Sequence, residues 1–369
     1  MNAGTLRTFE TEITRLGIAL EPAGDPGELE GVLNPASARS RDGALLLYPR
    51  AVARGNVSRV GTYESRSRAV PAPLTSLGYA LEPRESYEFR DVPGGYGCED
   101  PRVTFVPALD AYVMAYTAFG PLGPRIAIAL SHDAYAWERL GLVDFSAVGL
   151  PHGDDKDGAF FPEPVVSPAG VLSFAFYHRP MILVSAADAK SAIPIILALP
   201  PSQRESTRIA YVPVEAALRD RRELLRVAES VLVLEPGDTW GRIKNGGGTP
   251  PVRIDEGWLS FFHGVDPQLD ASGASTGMRY SAGIVVHDAE RPDRVLYRSP
   301  APVLAPETAD ETRGMVNNVV FPTAIDPRPD LGAREFDIYY GMADSRIGLA
   351  RVRLGASSAA ASESSETAA

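Results

Sequence analysis

Short, strongly apolar runs, several of them interrupted by polar residues at period two, recur along this whole chain. Ala44-Leu45-Leu46-Leu47-Tyr48, Tyr112-Val113-Met114-Ala115-Tyr116 and Leu172-Ser173-Phe174-Ala175-Phe176-Tyr177 are three of them. Trp258-Leu259-Ser260-Phe261-Phe262-His263 and Phe336-Asp337-Ile338-Tyr339-Tyr340 continue the series. Such runs, aromatic-rich and bounded by turn formers, predict strands. Arg41-Asp42-Gly43, Ser167-Pro168-Ala169-Gly170 and Asp255-Glu256-Gly257 supply the positive-φ residue a tight hairpin needs. A proline leads into each repeat, at Asn34-Pro35, Asp100-Pro101, Phe161-Pro162, Thr249-Pro250 and Phe321-Pro322, with polar side chains beside it. This repetition predicts an all-β propeller over residues 31–354, its blades longer than the roughly 40–50 residues of common propeller repeats. Two β-sandwiches in tandem are the competing arrangement, but no compositional shift marks a linker between them.

Helical spacing shows in two places. Leu6, Phe9, Ile13 and Leu16 predict a helix over 5–16, within an N-terminal extension of residues 1–30. Ala217, Leu218, Leu224, Leu225 and Val227, with Arg and Glu opposite, predict another over 214–230. The 355–369 tail of Ala, Ser, Glu and Thr is expected to be disordered.

At 369 residues the chain can bury a sizeable core, and its net charge of −11 argues against a nucleic-acid partner. One cysteine, Cys98, excludes an internal disulfide framework and a multi-cysteine zinc site. No apolar run approaches the roughly 20 residues that span a bilayer. The charged N-terminus (Arg7, Glu10, Glu12, Arg15) does not read as a signal peptide. The expectation is a cytoplasmic protein without membrane or nucleic-acid partners, with homo-oligomer formation left open.

Asp100 is the first chemical candidate. The residue before a proline is expected in extended backbone, and a carboxyl facing a dry central channel would keep its proton near neutral pH. A turn-capping aspartate is the plainer reading. Tyr177-His178-Arg179-Pro180 ends a strand with a histidine and a planar fork of donors suited to phosphate or carboxylate. In Lys244-Asn245-Gly246-Gly247-Gly248-Thr249-Pro250-Pro251 the glycines would let backbone N–H groups approach an anion. The lysine precedes them, unlike the P-loop order. His263, Tyr280 and Asp344 also stand at strand ends, whereas His132, His152 and His287 have no evident partners. Metallopeptidase, calcium-loop and nucleophile-elbow motifs do not occur.

In this order the motifs resemble glycoside hydrolase family 130, from about Asn34 to Ala350. They are Asn34-Pro35, Leu47-Tyr48-Pro49-Arg50, Glu99-Asp100-Pro101-Arg102, Lys156-Asp157, Phe161-Pro162-Glu163 and His178-Arg179-Pro180. Lys244 with Gly246 to Pro251, Gly257-Trp258-Leu259, His263-Gly264-Val265 and Tyr340-Gly341-x-x-Asp344-x-x-Ile347-Gly348 complete them. The resemblance implies a five-bladed propeller and inverting phosphorolysis of a β-1,2- or β-1,4-linked mannoside, with inorganic phosphate as co-substrate and no metal or other cofactor. It implies Asp100 as general acid, acting through a hydroxyl of the mannosyl unit. Arg179, Lys244, His263 and Tyr280 would hold phosphate. Asn34, Arg50 and Asp344 would line the sugar subsite, with Lys156, Asp157 and His178 as further substrate-binding positions. Two departures stand out. Asp154-Asp155 puts acid where phosphorylases often offer Asn or Arg, which would weaken phosphate binding. Pro49 interrupts a strand end, which would reshape the sugar subsite. A β-mannosidase using water, with Glu163 or another carboxylate as base, and a non-catalytic sugar-binding propeller are the alternatives.

Overall fold

A computed structural model describes residues 7–150, 153–182, 189–272 and 275–359. It opens with strand β1 (Arg7–Leu20). The first blade is β2 (Gly31–Arg39), β3 (Leu45–Ala53), β4 (Val57–Ser65) and β5 (Thr75–Leu81); the second is β6 (Tyr96–Val106), β7 (Ala111–Gly120), β8 (Gly123–Ser131) and β9 (Glu138–Leu142). The third holds β10 (Asp155–Phe160), β11 (Val165–Val166), β12 (Leu172–Pro180), helix α1 (Ala189–Ala198), β13 (Thr207–Pro213), helix α2 (Val214–Arg219) and β14 (Glu229–Leu234). The fourth is β15 (Lys244–Gly247), β16 (Val252–Ile254), β17 (Gly257–Leu269), β18 (Ser275–His287) and β19 (Val295–Arg298). After α3 (Ala309–Thr312) the fifth is β20 (Val320–Pro327), β21 (Glu335–Met342) and β22 (Arg346–Ala359), with β1 antiparallel to β22 as its fourth strand.

The innermost strands β2, β6, β10, β15 and β20 lie around one centre, β2 against both β6 and β20, β6 against β10, and β10 against β15. This is a five-bladed β-propeller. Each of the five prolines read from the sequence sits on an innermost strand or within three residues of its end. Alternation puts one face of every blade against the next, and buried apolar clusters fill those seams. Leu45, Leu47, Tyr339 and Leu349 join blades five and one, and Val113, Ile128, Phe174 and Phe176 join two and three. Phe161, Tyr177, Tyr211 and Trp258 join three and four, and Leu259, Phe261, Ile338 and Val352 join four and five. Leu46, Tyr48, Val103 and Met114 join one and two. Removing one such aromatic to alanine typically costs about 3–5 kcal/mol.

Both predicted helices are corrected. The 5–16 segment is strand from Arg7 onward, while Thr5 and Leu6 lie outside the described residues. Phe9 and Ile13 point inward with Thr11 between them at period two. Bulges at Phe9/Thr11 and Arg15/Gly17 then shift the parity, so a bulged strand imitates helical spacing. The segment is thus part of a blade and not a helical extension. The second helix ends at Arg219, because Asp220 is extended (φ −142°) and caps a separate 3-10 turn through Arg222 N. Past residue 354, β22 continues to Ala359, and residues 360–369 lie outside the described part. Among the described residues no helix is long and apolar enough to cross a membrane.

Candidate active site

Three innermost strands break register at equivalent places: between Leu33 and Ala36, Glu99 and Arg102, and Lys156 and Ala159. Each bulge carries one polar residue in the left-handed region, Asn34 (φ 44°), Asp100 (φ 45°) and Asp157 (φ 64°). Asn and Asp tolerate this conformation best among residues with a Cβ, and a bulge re-aims the side chain it displaces. Asp100 is therefore not extended, contrary to its place before Pro101. Strand pairing on both sides of the bulge overrides the local preference, at a cost of about 1–3 kcal/mol per strained residue.

On one flank Asn34 Nδ2 donates to Asp100 Oδ1 at 2.9 Å, and Arg50 Nη1 lies 3.4 Å from the same oxygen. Arg50 Nη2 pairs with Glu99 at 2.9 Å, and Lys156 Nζ holds the other Glu99 oxygen at 3.1 Å. Asp100 is 7% exposed. Burial opposes its ionisation, yet Arg50, Lys156, Arg102 and the Asn34 hydrogen bond together hold the carboxyl below the usual range. This corrects the expectation of a protonated Asp100. Of the two carboxyls, the one whose hold on a proton is raised is Asp344, in the turn between β21 and β22. Burial pushes it up to about 6, with Asp100 and Glu99 adding to the rise and Arg50 and Lys156 opposing it. Two carboxyls in one dry place have pKa values driven apart.

On the other flank Arg179 Nε donates to Asp157 Oδ2 at 2.6 Å. His263 Nε2 lies 3.9 Å from that oxygen, and its ring sits 4.5 Å from Phe321 and 6.1 Å from Tyr280. Lys244 Nζ lies 5.7 Å from the Tyr280 ring centre. His263 is lowered to about 3, first by burial and then by Arg179, Lys244 and Arg102, against the pull of Asp157, so it is neutral at physiological pH. Both of its ring nitrogens are buried without a hydrogen-bond partner. An orphaned buried polar group costs about 1–3 kcal/mol, which a ligand can recover.

Arg102 joins the flanks. Fully buried, it donates from Nη1 to Asp100 O (2.8 Å), from Nε to Gly248 O (3.1 Å) and from Nη2 to Gly247 O (3.3 Å), with Nη2 3.6 Å from Asp157. Asp100, Asp157, Arg179 and His263 are thereby brought into one buried centre.

Other expectations change. His178 lies off the site, its Nδ1 bonded to Asp155 (2.8 Å), its Nε2 to Ser230 (2.8 Å) and its ring stacked on Phe145. Both ring nitrogens are engaged within the protein, which fixes this end of β12. Asp155 also accepts from Arg179 N, and Asp154 pairs with Arg125, so neither acid faces the cations as an open charge. The glycine run does not offer its N–H groups to an anion. Gly246 and Gly247 pair with β17, and Gly248 N donates to Phe261 O. A side chain at Gly246 would collide with Asp157 and His263, so this glycine makes room for the site's own groups. Glu163 is exposed and is no candidate base. His132 is exposed and His287 is tied to Pro292 O, while His152 lies outside the described residues. No cluster of three or more His, Cys, Asp or Glu suited to a metal occurs among the described residues.

Sequence reasoning missed Glu205. It forms a short ion pair with Arg179 Nη1, and the same oxygen lies 3.8 Å from Lys244 Nζ. Nothing in Arg204-Glu205-Ser206 signals this.

A propeller that gathers bulge-borne carboxylates and buried cations at its centre has the build of a carbohydrate-active enzyme. The sequence model of family 130, described as β-1,4-mannooligosaccharide phosphorylase, matches residues 31–188 and 219–356. A 1,2-β-oligomannan phosphorylase from Thermoanaerobacter sp. (strain X514) is 28% identical over 258 residues, 69% of this chain and 67% of its own. A β-1,4-mannooligosaccharide phosphorylase from Ruminococcus albus is 36% identical over 118 residues, 32% of this chain and 33% of its own. The solved β-1,2-mannobiose phosphorylase of Listeria innocua, in complex with β-1,2-mannobiose, superposes with a TM-score of 0.67 at 20% identity, covering 93% of this chain and 97% of that one. The chain belongs to glycoside hydrolase family 130 and is an enzyme of its mannoside phosphorylase class.

Proposed function

We propose that this enzyme cleaves a β-1,2- or β-1,4-linked mannoside with inorganic phosphate, giving α-mannose 1-phosphate by inversion. Asn34, Arg50 and Asp344 line the sugar subsite beside Asp100. Arg179, Lys244, His263 and Tyr280 form the phosphate cradle on the opposite flank. A phosphate oxygen attacks the anomeric carbon as the glycosidic C–O bond breaks. A proton from the Asp100 side, relayed by a mannosyl hydroxyl, reaches the departing oxygen. The surrounding cations hold the Asp100 carboxyl below the usual range, so Asp344, raised to about 6, is the more readily protonated of the two carboxyls and the source of that proton. Phosphate carries its own nucleophile, so one acidic flank and one cationic flank suffice, without metal or cofactor. The observation that carries this reading is the neutral, unpartnered His263 between Asp157 and Tyr280, an unused donor and acceptor beside two cations.

The test is Arg179→Ala. The KM for phosphate should rise about 100-fold or more, in keeping with loss of a buried charged donor, while the KM for the mannoside changes little. Equal loss for both substrates contradicts the cradle. Glu205 favours one second reading, water attack with this carboxylate as base, which would release mannose without phosphate.

A further inference from the structure

Arg179 and Lys244 are the cations best placed for phosphate, and neither is open. Arg179 Nε is taken by Asp157, and its Nη1 by Glu205. Lys244 looks onto the same Glu205 oxygen. Arg179, Lys244 and Arg102 are faced by Asp157 and Glu205, which leaves the cradle one net positive charge while His263 is neutral. Without Glu205 it would have two. Asp157 cannot leave, being held between Arg102 and Arg179. Glu205 can.

Its backbone is fixed. Asn245 N donates to Glu205 O at 3.1 Å, and the Arg204 guanidinium binds the carbonyls of Leu197, Leu199 and Arg242. The side chain is 14% exposed and has a way to water. The cavity of about 160 Å³ beside it is lined by Glu205 and Lys244 and otherwise by apolar side chains such as Ile182, Ile193, Ile196 and Met278, which offer a displaced carboxylate no new partner. The family's sequence model leaves residues 189–218, Glu205 among them, unmatched.

We propose that Glu205 is a tethered competitor of phosphate, a carboxylate standing in the anion cradle that phosphate must displace by rotating it outward. The inference deepens the phosphorylase reading and rests on it. Glu205 then sets the phosphate concentration at which the enzyme works, because every binding event includes the cost of breaking its pairs with Arg179 and Lys244.

The experiment compares wild type, Glu205→Gln and Glu205→Ala, each checked by thermal melt. Phosphate KM is measured at saturating mannoside, and inorganic phosphate and unreactive sulfate are titrated by calorimetry. In both variants phosphate KM and both anion dissociation constants should fall about tenfold, with mannoside KM within twofold of wild type. Unchanged or weaker anion binding overturns the proposal and makes Glu205 a support for Arg179. Phosphate-independent mannose release that Glu205→Gln abolishes overturns it in favour of a base. If wild type forms no sugar phosphate, the phosphorylase reading fails. The calorimetric titrations still decide whether Glu205 competes for anions.

Discussion

Asp100 and Asp344 differ in their hold on a proton, Asp100 being shifted down and Asp344 up. The cations around Asp100 keep it ionised, and burial keeps Asp344 protonated up to about pH 6. kcat/KM should therefore fall as pH rises through about 6, and Asp344→Asn should remove that limb. A profile flat from pH 5 to 8 in wild type contradicts Asp344 as the source of the proton. Asp344 also makes a stability prediction. Its folded pKa lies above the unfolded value, so the folded state binds the proton more tightly, and stability falls as pH rises between about 4 and 6. Asp344→Asn should melt higher than wild type at pH 7.5, by on the order of 1–3 kcal/mol, and the gap should close toward pH 4. Much of this site could be read from sequence, since Asp100, Arg179, Lys244 and His263 stand in motifs whose order is informative. What could not be read was their state. Ionisation at Asp100 depends largely on Arg50 and Lys156, which reach it only through the fold. Glu205 carries no motif at all, and its partner Arg179 lies 26 positions away.

At the scale of the element, the N-terminal strand closes the ring. β1 pairs along β22, and Arg15 ties it to the buried Glu311, whose carboxylate also accepts from Tyr340 and caps α3. Because Arg15 is partly exposed, breaking this pair costs less than the roughly 3–5 kcal/mol of a fully buried one. Deleting the chain up to Leu20 should lower Tm by on the order of 5–10 °C or more and promote aggregation through the bared β22 edge, read by thermal melt and light scattering. An unchanged Tm would mean that β1 only decorates the blade. This strand was misread because periodicity assumes unbroken register, and three register shifts within one strand violate that. The strands β3, β7, β12, β17 and β21 were legible because each lies between two blades, is buried on both faces and so reads as a short, strongly apolar run. The same bulges that defeat periodicity elsewhere create the site, by turning Asn34, Asp100 and Asp157 inward.

For the whole molecule, five similar sheets leave a centre where no single blade supplies the chemistry. Asn34 comes from blade one, Asp100 and Arg102 from blade two, Asp157 and Arg179 from blade three, Lys244 and His263 from blade four, and Asp344 from blade five. Arg102 holds this assembly together across blades two, three and four. The central claim is that the acid flank and the cationic flank act on one bond with phosphate as nucleophile. The most direct test is to incubate the enzyme with β-1,2- and β-1,4-mannobiose, with and without phosphate, and to follow the products by phosphorus and proton NMR. The account predicts α-mannose 1-phosphate and mannose in equal amounts from one of the two disaccharides, and no cleavage without phosphate. Mannose release at the same rate without phosphate, with no phosphorylated sugar, would contradict it.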